Sequence, residues 1–286
     1  MNKTAIVFSL SLVIVLAGCT RQAPNEPRQE GAIAAPGTDQ TIRLIMSDAG
    51  FNAEIVPILQ AEVARQGFTL QWVVVNDIIQ PNKLVDDGSA DANSFQHEPY
   101  FDQFVLDHGL KNITRGFYTL FTPSGLFSKK YKSLAQLPDG ALIGIPVDPS
   151  NNGRALFMLR DHGLLQLKPG VEVTHASQRD ITANPHHFKF IEVDQLMLQR
   201  TLDDVDVGFL FLGTALKAGL NPRQDALALE DDKDPAYKGV VAIRKELVGS
   251  PKIKALQNAY ASDALKAYYL KRYGDAITFL DRFNPR

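Results

Sequence analysis

The stretch TIRLIMSDAGFNAEIVPILQAEVARQGFTLQWVVV, residues 41–75, decides the architecture. Thr41 to Met46 reads as a strand. Asn52 then caps a helix running to about Gln66, with Ile55, Val56, Leu59 and Val63 on one face and Gly67 as its stop. Pro57 lies inside that stretch, so the helix either begins later or is kinked there. Phe68 to Val75 reads as a second strand. Short apolar strands alternating with amphipathic helices are the pattern of an α/β protein whose strands are joined by helical crossovers.

The alternation continues along the chain. Gln80 to Asp87 reads as a short helix, Ile113 to Thr122 as one or two strands, and Ala141 to Pro146 as another strand. A turn-rich segment, Asp148 to Gly153, leads into a helix from Arg154 to His162. Ser250 and Pro251 start a further helix with Ile253, Leu256 and Tyr260 on one face. The sequence has no internal repeat.

At the N-terminus, Lys3 precedes an apolar run from Ala5 to Ala17 that closes on Leu16-Ala17-Gly18-Cys19. A run of about thirteen residues is too short to span a bilayer and reads as a secretory signal. Cys19 is the only cysteine, so it has neither a disulfide partner nor a second thiol for a metal site. The segment resembles the lipobox of bacterial lipoproteins, which implies removal of residues 1–18 and acylation of Cys19. Two or more acyl chains anchor a protein stably at a membrane. Residues 19–40 are rich in Gln, Pro, Ala, Asn and Gly and read as a flexible tether. The mature chain is expected in the cell envelope, outside the cytoplasm, on the periplasmic side in a Gram-negative cell.

The formal charge of the 286-residue chain, −2, becomes about −3 once Lys3 is removed, which speaks against nucleic acid and against a polybasic membrane patch. No nucleophile elbow, phosphate loop or zinc-protease motif is present, so the sequence does not read as an enzyme. The six histidines are scattered, no metal or cofactor is expected, and His186-His187 reads as a solvated pair. The run Glu230-Asp231-Asp232-Lys233-Asp234 reads as a solvated loop.

Three groups of segments carry a resemblance. The first is Gln80-Pro81-Asn82 with Asp91-Ala92-Asn93-Ser94-Phe95-Gln96-His97-Glu98-Pro99-Tyr100. The second joins Gly125 to Lys130, Ser133 to Gly140 and Ile145 to Leu156; the third joins Asp203 to Asp206, Ala218 to Pro222 and Asp225 to Leu227. Together they resemble the NlpA-type substrate-binding lipoproteins, whose best-known members bind methionine for an ABC importer. The resemblance implies a two-lobed periplasmic-binding fold with a ligand cleft and a two-crossing hinge. On that analogy one lobe takes residues 41–118 and 233–286, and the other takes 119–232. It also implies a monomer that delivers an amino-acid-like solute to a membrane permease.

Read from the residues alone, Arg154 at a helix start is open between a surface arginine paired with a nearby acid and a guanidinium that grips a ligand carboxylate. The resemblance implies the second role. Phe95, His97 and Tyr100 read alone as either core packing or the wall of an apolar pocket. The resemblance places them around the methionine side chain, where aromatic edges suit a thioether.

The chain departs from the methionine-binding pattern at Ile78, Phe211, Gly213 and Gly239, where the resemblance implies an aromatic residue and asparagines that pair the ligand's ammonium and carboxylate. Each buried polar group left unpaired costs about 1–3 kcal/mol, so two lost partners would weaken free methionine about a hundredfold. The expected ligand has a carboxylate and an apolar part but makes no demand for the full ammonium site, such as a small peptide or another organic acid related to methionine, with Gly213 and Gly239 leaving room for it.

Overall fold

A computed structural model describes residues 40–47, 52–194, 197–231 and 237–279. Cys19, residues 1–39 and Asp232 to Asp234 of the charge run lie outside the described residues.

The chain builds a first sheet from β1 (Thr41–Met46), α1 (Asn52–Ala64), β2 (Thr69–Val74), α2 (Gln80–Asp86), β3 (Ala92–His97), α3 (Glu98–His108) and β4 (Ile113–Phe121). It then crosses to a second sheet with β5 (Ser124–Phe127), β6 (Leu142–Pro146) and α4 (Pro149–Asp161). The small pair β7 (Gln166–Leu167) and β8 (Ile181–Ala183) precedes β9 (Lys189–Val193), α5 (Leu198–Thr201), β10 (Val207–Phe211), α6 (Leu212–Lys217), α7 (Pro222–Asp225) and β11 (Ala226–Leu229). The chain returns with β12 (Lys238–Arg244), α8 (Pro251–Tyr260), α9 (Asp263–Tyr273) and β13 (Thr278–Phe279). The strand orders are β13-β4-β12-β3-β1-β2 and β11-β5-β10-β6-β9. β4 keeps residues 119–121 in the first sheet, three positions beyond the sequence-based boundary at 118.

β1 is buried on both faces, as a central strand covered by helices must be. Ile42, Leu44 and Met46 pack with Ile55 and Leu59 of α1 and Ile253 and Leu256 of α8, while Ile45 packs on the opposite side with Val85 and Phe101. β2 and β3 flank β1 in parallel. Asn52 is the first helical residue of α1 rather than its cap, and its Nδ2 donates to Ser47 Oγ at 3.2 Å. Pro57 lies inside α1, where it has no N–H to give the carbonyl of Ala53.

Two helix starts differ from the sequence reading, and both matter for the site. α4 begins at Pro149, not at Arg154: the Asp148 carboxylate caps it by accepting from Asn151 N, and Pro149 occupies the first turn, where a missing N–H costs nothing. The segment read as a turn is therefore helical, and Arg154 is its sixth residue. α3 likewise starts at Glu98, with Pro99 in its first turn, in a stretch to which the sequence reading assigned no helix. His97 ends β3 and caps α3, its Nδ1 accepting from Tyr100 N at 3.1 Å. Both helices leave the C-terminal ends of strands with parallel neighbours, where α/β sheets gather their ligands. Among the described residues, no helix is long and apolar enough to cross a membrane.

Candidate functional site

A cavity of about 540 Å³ is walled by elements of both sheets. The first sheet contributes Phe95, Gln96, His97 and Tyr100 at the end of β3 and start of α3, with Asp77 and Ile78 from the loop after β2 and Gly239 from β12. The second contributes Asn151 and Arg154 of α4 with Phe211, Gly213 and Thr214 of β10 and α6. All eight cleft positions singled out in the sequence thus border one space.

The aromatic wall is braced from beneath. Tyr100 meets Phe95 and His97 edge-on at centroid separations of 5.9 and 6.2 Å, and its hydroxyl donates to the carbonyl of Ile78 at 2.6 Å. Burial, with Asp148 and Asp77 nearby, pushes the Tyr100 phenol up and keeps it protonated. Behind β3, Asn82, Asn93 and Gln96 form a buried amide network. Asn82 and Gln96 exchange paired hydrogen bonds at 2.7 and 2.9 Å, and Asn93 donates to Asn82 Oδ1 while accepting from Gln96. This closed network explains why the Gln-Pro-Asn and Asp-Ala-Asn-Ser-Phe-Gln segments occur together, since a lone buried amide would be costly.

His97 links the two sheets. Because Nδ1 accepts from Tyr100 N, the proton sits on Nε2, which donates to Asn151 Oδ1 at 2.8 Å. Asn151 Nδ2 in turn donates to Asp148 Oδ1 at 2.9 Å. Burial, reinforced by the Arg154 guanidinium, lowers the His97 pKa to about 3 and keeps the ring neutral. Asn151 was not singled out from the sequence, although it stands in the Asn-Asn-Gly-Arg segment.

Arg154 is buried, with 3% of its side chain exposed, and borders the cavity. Its Nε donates to Glu230 Oε1 and its Nη2 to Glu230 Oε2. The ring of Tyr237 lies 4.0 Å from the guanidinium carbon. Glu230 is therefore no part of a solvated loop: 12% of its side chain is exposed, and Oε2 also accepts from Ser124 N at 2.8 Å. The compensation that a cation in this helix requires comes from an acid 76 residues away, a distance at which no local pattern reveals it.

Glycines set the backbone of the site. A Cβ at Gly153 would stand 1.7 Å from the Val173 carbonyl oxygen, so only glycine lets the 173–176 segment close on α4 beside Arg154. Gly239 does not provide the free room expected of it. A Cβ there would lie 2.7 Å from Thr119 Oγ1 and 2.8 Å from the Leu120 carbonyl, because β4 already fills that volume.

Residues 47–279 match the sequence family described as NlpA lipoprotein. The chain belongs to the NlpA lipoprotein family. Among its NlpA relatives, the D-methionine-binding lipoprotein MetQ of Salmonella typhi is 34% identical over 261 residues, covering 91% of this chain and 90% of that protein. A nutrient-binding protein from Burkholderia cenocepacia, solved bound to methionine, is 36% identical with a TM-score of 0.78, over 84% of this chain and 98% of that one. An ABC-transporter periplasmic substrate-binding protein from Coxiella burnetii is 35% identical with a TM-score of 0.78, over 84% of this chain and 100% of that one. The NlpA chain described here shares the two-lobed α/β architecture of these binding proteins, and its relative from Salmonella typhi is a lipoprotein.

Proposed function

We propose that this chain is the substrate-binding protein of an ABC importer, capturing methionine or a similarly built amino-acid derivative or short peptide in the cavity between its two sheets. The observation that carries this reading is the convergence of aromatic Phe95, His97 and Tyr100 from one sheet with cationic Arg154 from the other on one cavity of about 540 Å³. Such a cavity offers an apolar end and a carboxylate end to a small amphipathic solute. Residues 41–121 and 238–279 form one lobe and 124–229 the other, and the lobes close about the two connections between them. Acyl chains on Cys19 hold the monomer at the outer face of a membrane, where it delivers its solute to a permease. It binds without turning over.

Thermal unfolding of the purified full-length chain with L-methionine tests this. Ligand at 1,000 times its dissociation constant adds about 4 kcal/mol, which raises the melting temperature by roughly 8–16 °C in a protein of this size. A melting temperature indifferent to methionine, methionine-containing dipeptides and related amino acids would overturn the proposal.

A further inference from the structure

We propose that Glu230 is a resident member of the carboxylate site: it holds Arg154 by the Nε/Nη2 edge, leaves the Nη1/Nη2 edge to a ligand carboxylate, and selects against ligands of net negative charge. This rests on the function proposed above.

A guanidinium has five N–H donors and two edges on which a carboxylate can sit bidentate. Glu230 takes one edge completely, through Nε and Nη2. Among the described residues no acceptor meets Nη1, yet Arg154 borders the cavity. The Nη1/Nη2 edge is therefore the one left for a solute carboxylate.

Glu230 is built in rather than parked. Besides both contacts to Arg154, its Oε2 accepts from Ser124 N at 2.8 Å, and its own N–H donates to the Ser124 carbonyl at 3.0 Å. Ser124 is only 1% exposed, so water cannot replace that acceptor freely. Swinging the carboxylate away would strip partners from three donors at once, Arg154 Nε, Arg154 Nη2 and Ser124 N, which makes displacement by a ligand unfavourable.

With Glu230 in place the buried pair carries no net charge. A ligand carboxylate joining it puts two anions on one guanidinium, and neutral His97 supplies no compensating positive charge. Arg200 and Lys217 also border the cavity, but both are exposed, where solvent and salt screen them. The charge that balances the second carboxylate has to travel with the solute, as the ammonium of a zwitterion.

Calorimetric titration of the full-length chain and of Glu230→Gln with L-methionine and with N-acetyl-L-methionine, an anion of the same shape at its apolar end, tests this. In the variant the preference for methionine over the N-acetyl compound is expected to fall about tenfold or more, with the N-acetyl compound binding more tightly in absolute terms. Loss of both affinities in equal proportion, or an unchanged ratio, assigns Glu230 a merely structural role and overturns the proposal. A native chain that binds neither compound overturns the underlying reading instead. Should the variant not fold, a crystal structure of the native chain with L-methionine decides. Glu230 on Nε/Nη2 with the ligand on Nη1 supports the assignment, whereas a ligand carboxylate on Nε/Nη2 with Glu230 displaced refutes it.

Discussion

Replacing Arg154 by Met removes more than a contact for a solute. Glu230, 12% exposed, is left as a nearly buried anion with Ser124 N as its remaining donor, and the packing of Tyr237 on the guanidinium at 4.0 Å disappears. Breaking one partner of a buried ion pair costs about 3–5 kcal/mol, and Glu230→Leu should cost a similar amount by stranding the guanidinium. Removing both charges together leaves only the Ser124 donor unsatisfied, about 1–3 kcal/mol. The double variant should therefore recover at least about 3 kcal/mol relative to the sum of the singles. Urea unfolding followed by far-UV circular dichroism measures all four proteins, and fluorescence of the single tryptophan, Trp72, checks that the transitions coincide. Single costs that add to within about 0.5 kcal/mol would refute the pairing as an energetic unit.

Gly153→Ala drives a methyl group into the Val173 carbonyl, which stands 1.7 Å from the new Cβ, and should destabilise by about 3 kcal/mol or more; a melting temperature equal to that of the native chain contradicts the close approach. Gly239→Asn meets Thr119 Oγ1 at 2.7 Å and should cost about 1–3 kcal/mol without improving methionine binding; tighter binding by the variant would show that β4 yields there. The folded state keeps His97 neutral down to about pH 3 whereas the unfolded chain protonates it near pH 6.5, so its contribution is fully present above pH 6.5 and is lost as the pH falls toward 3. At pH 5 the loss is at most about 2 kcal/mol, less in proportion to the ring's contact with the cavity, and His97→Gln should flatten the acid slope of stability; identical slopes in the two proteins refute this.

The fold was legible where burial follows a simple period. β1, α1 and β2 could be placed because Ile42, Leu44, Ile55 and Leu59 mark faces that water must not reach. β3 and α3 were obscured because Asn93 and Gln96 put amides where apolar side chains were looked for, and the partner that makes them tolerable, Asn82, comes from another element. The start of α4 was misplaced because Asp148-Pro149 serves equally as a turn and as a cap followed by a first-turn proline, and only the bond from Asn151 N distinguishes them. Phe95, His97, Tyr100 and Arg154 were reachable through the family's motifs, and the structure gathers them on one cavity. Glu230 was not reachable, since an acid in an acidic run gives no sign of a partner 76 residues away. The room assigned to Gly239 failed for a similar reason: the neighbour that fills it, Leu120, lies on a different strand.

Native mass spectrometry of the full-length chain, purified without denaturation and examined before any ligand is added, tests the central claim most directly. The account predicts a fraction of molecules carrying one small solute, released on unfolding and identified as methionine or a short peptide or derivative with a free carboxylate. A chain that is empty as purified and gains no mass when methionine and related zwitterions are supplied would contradict it.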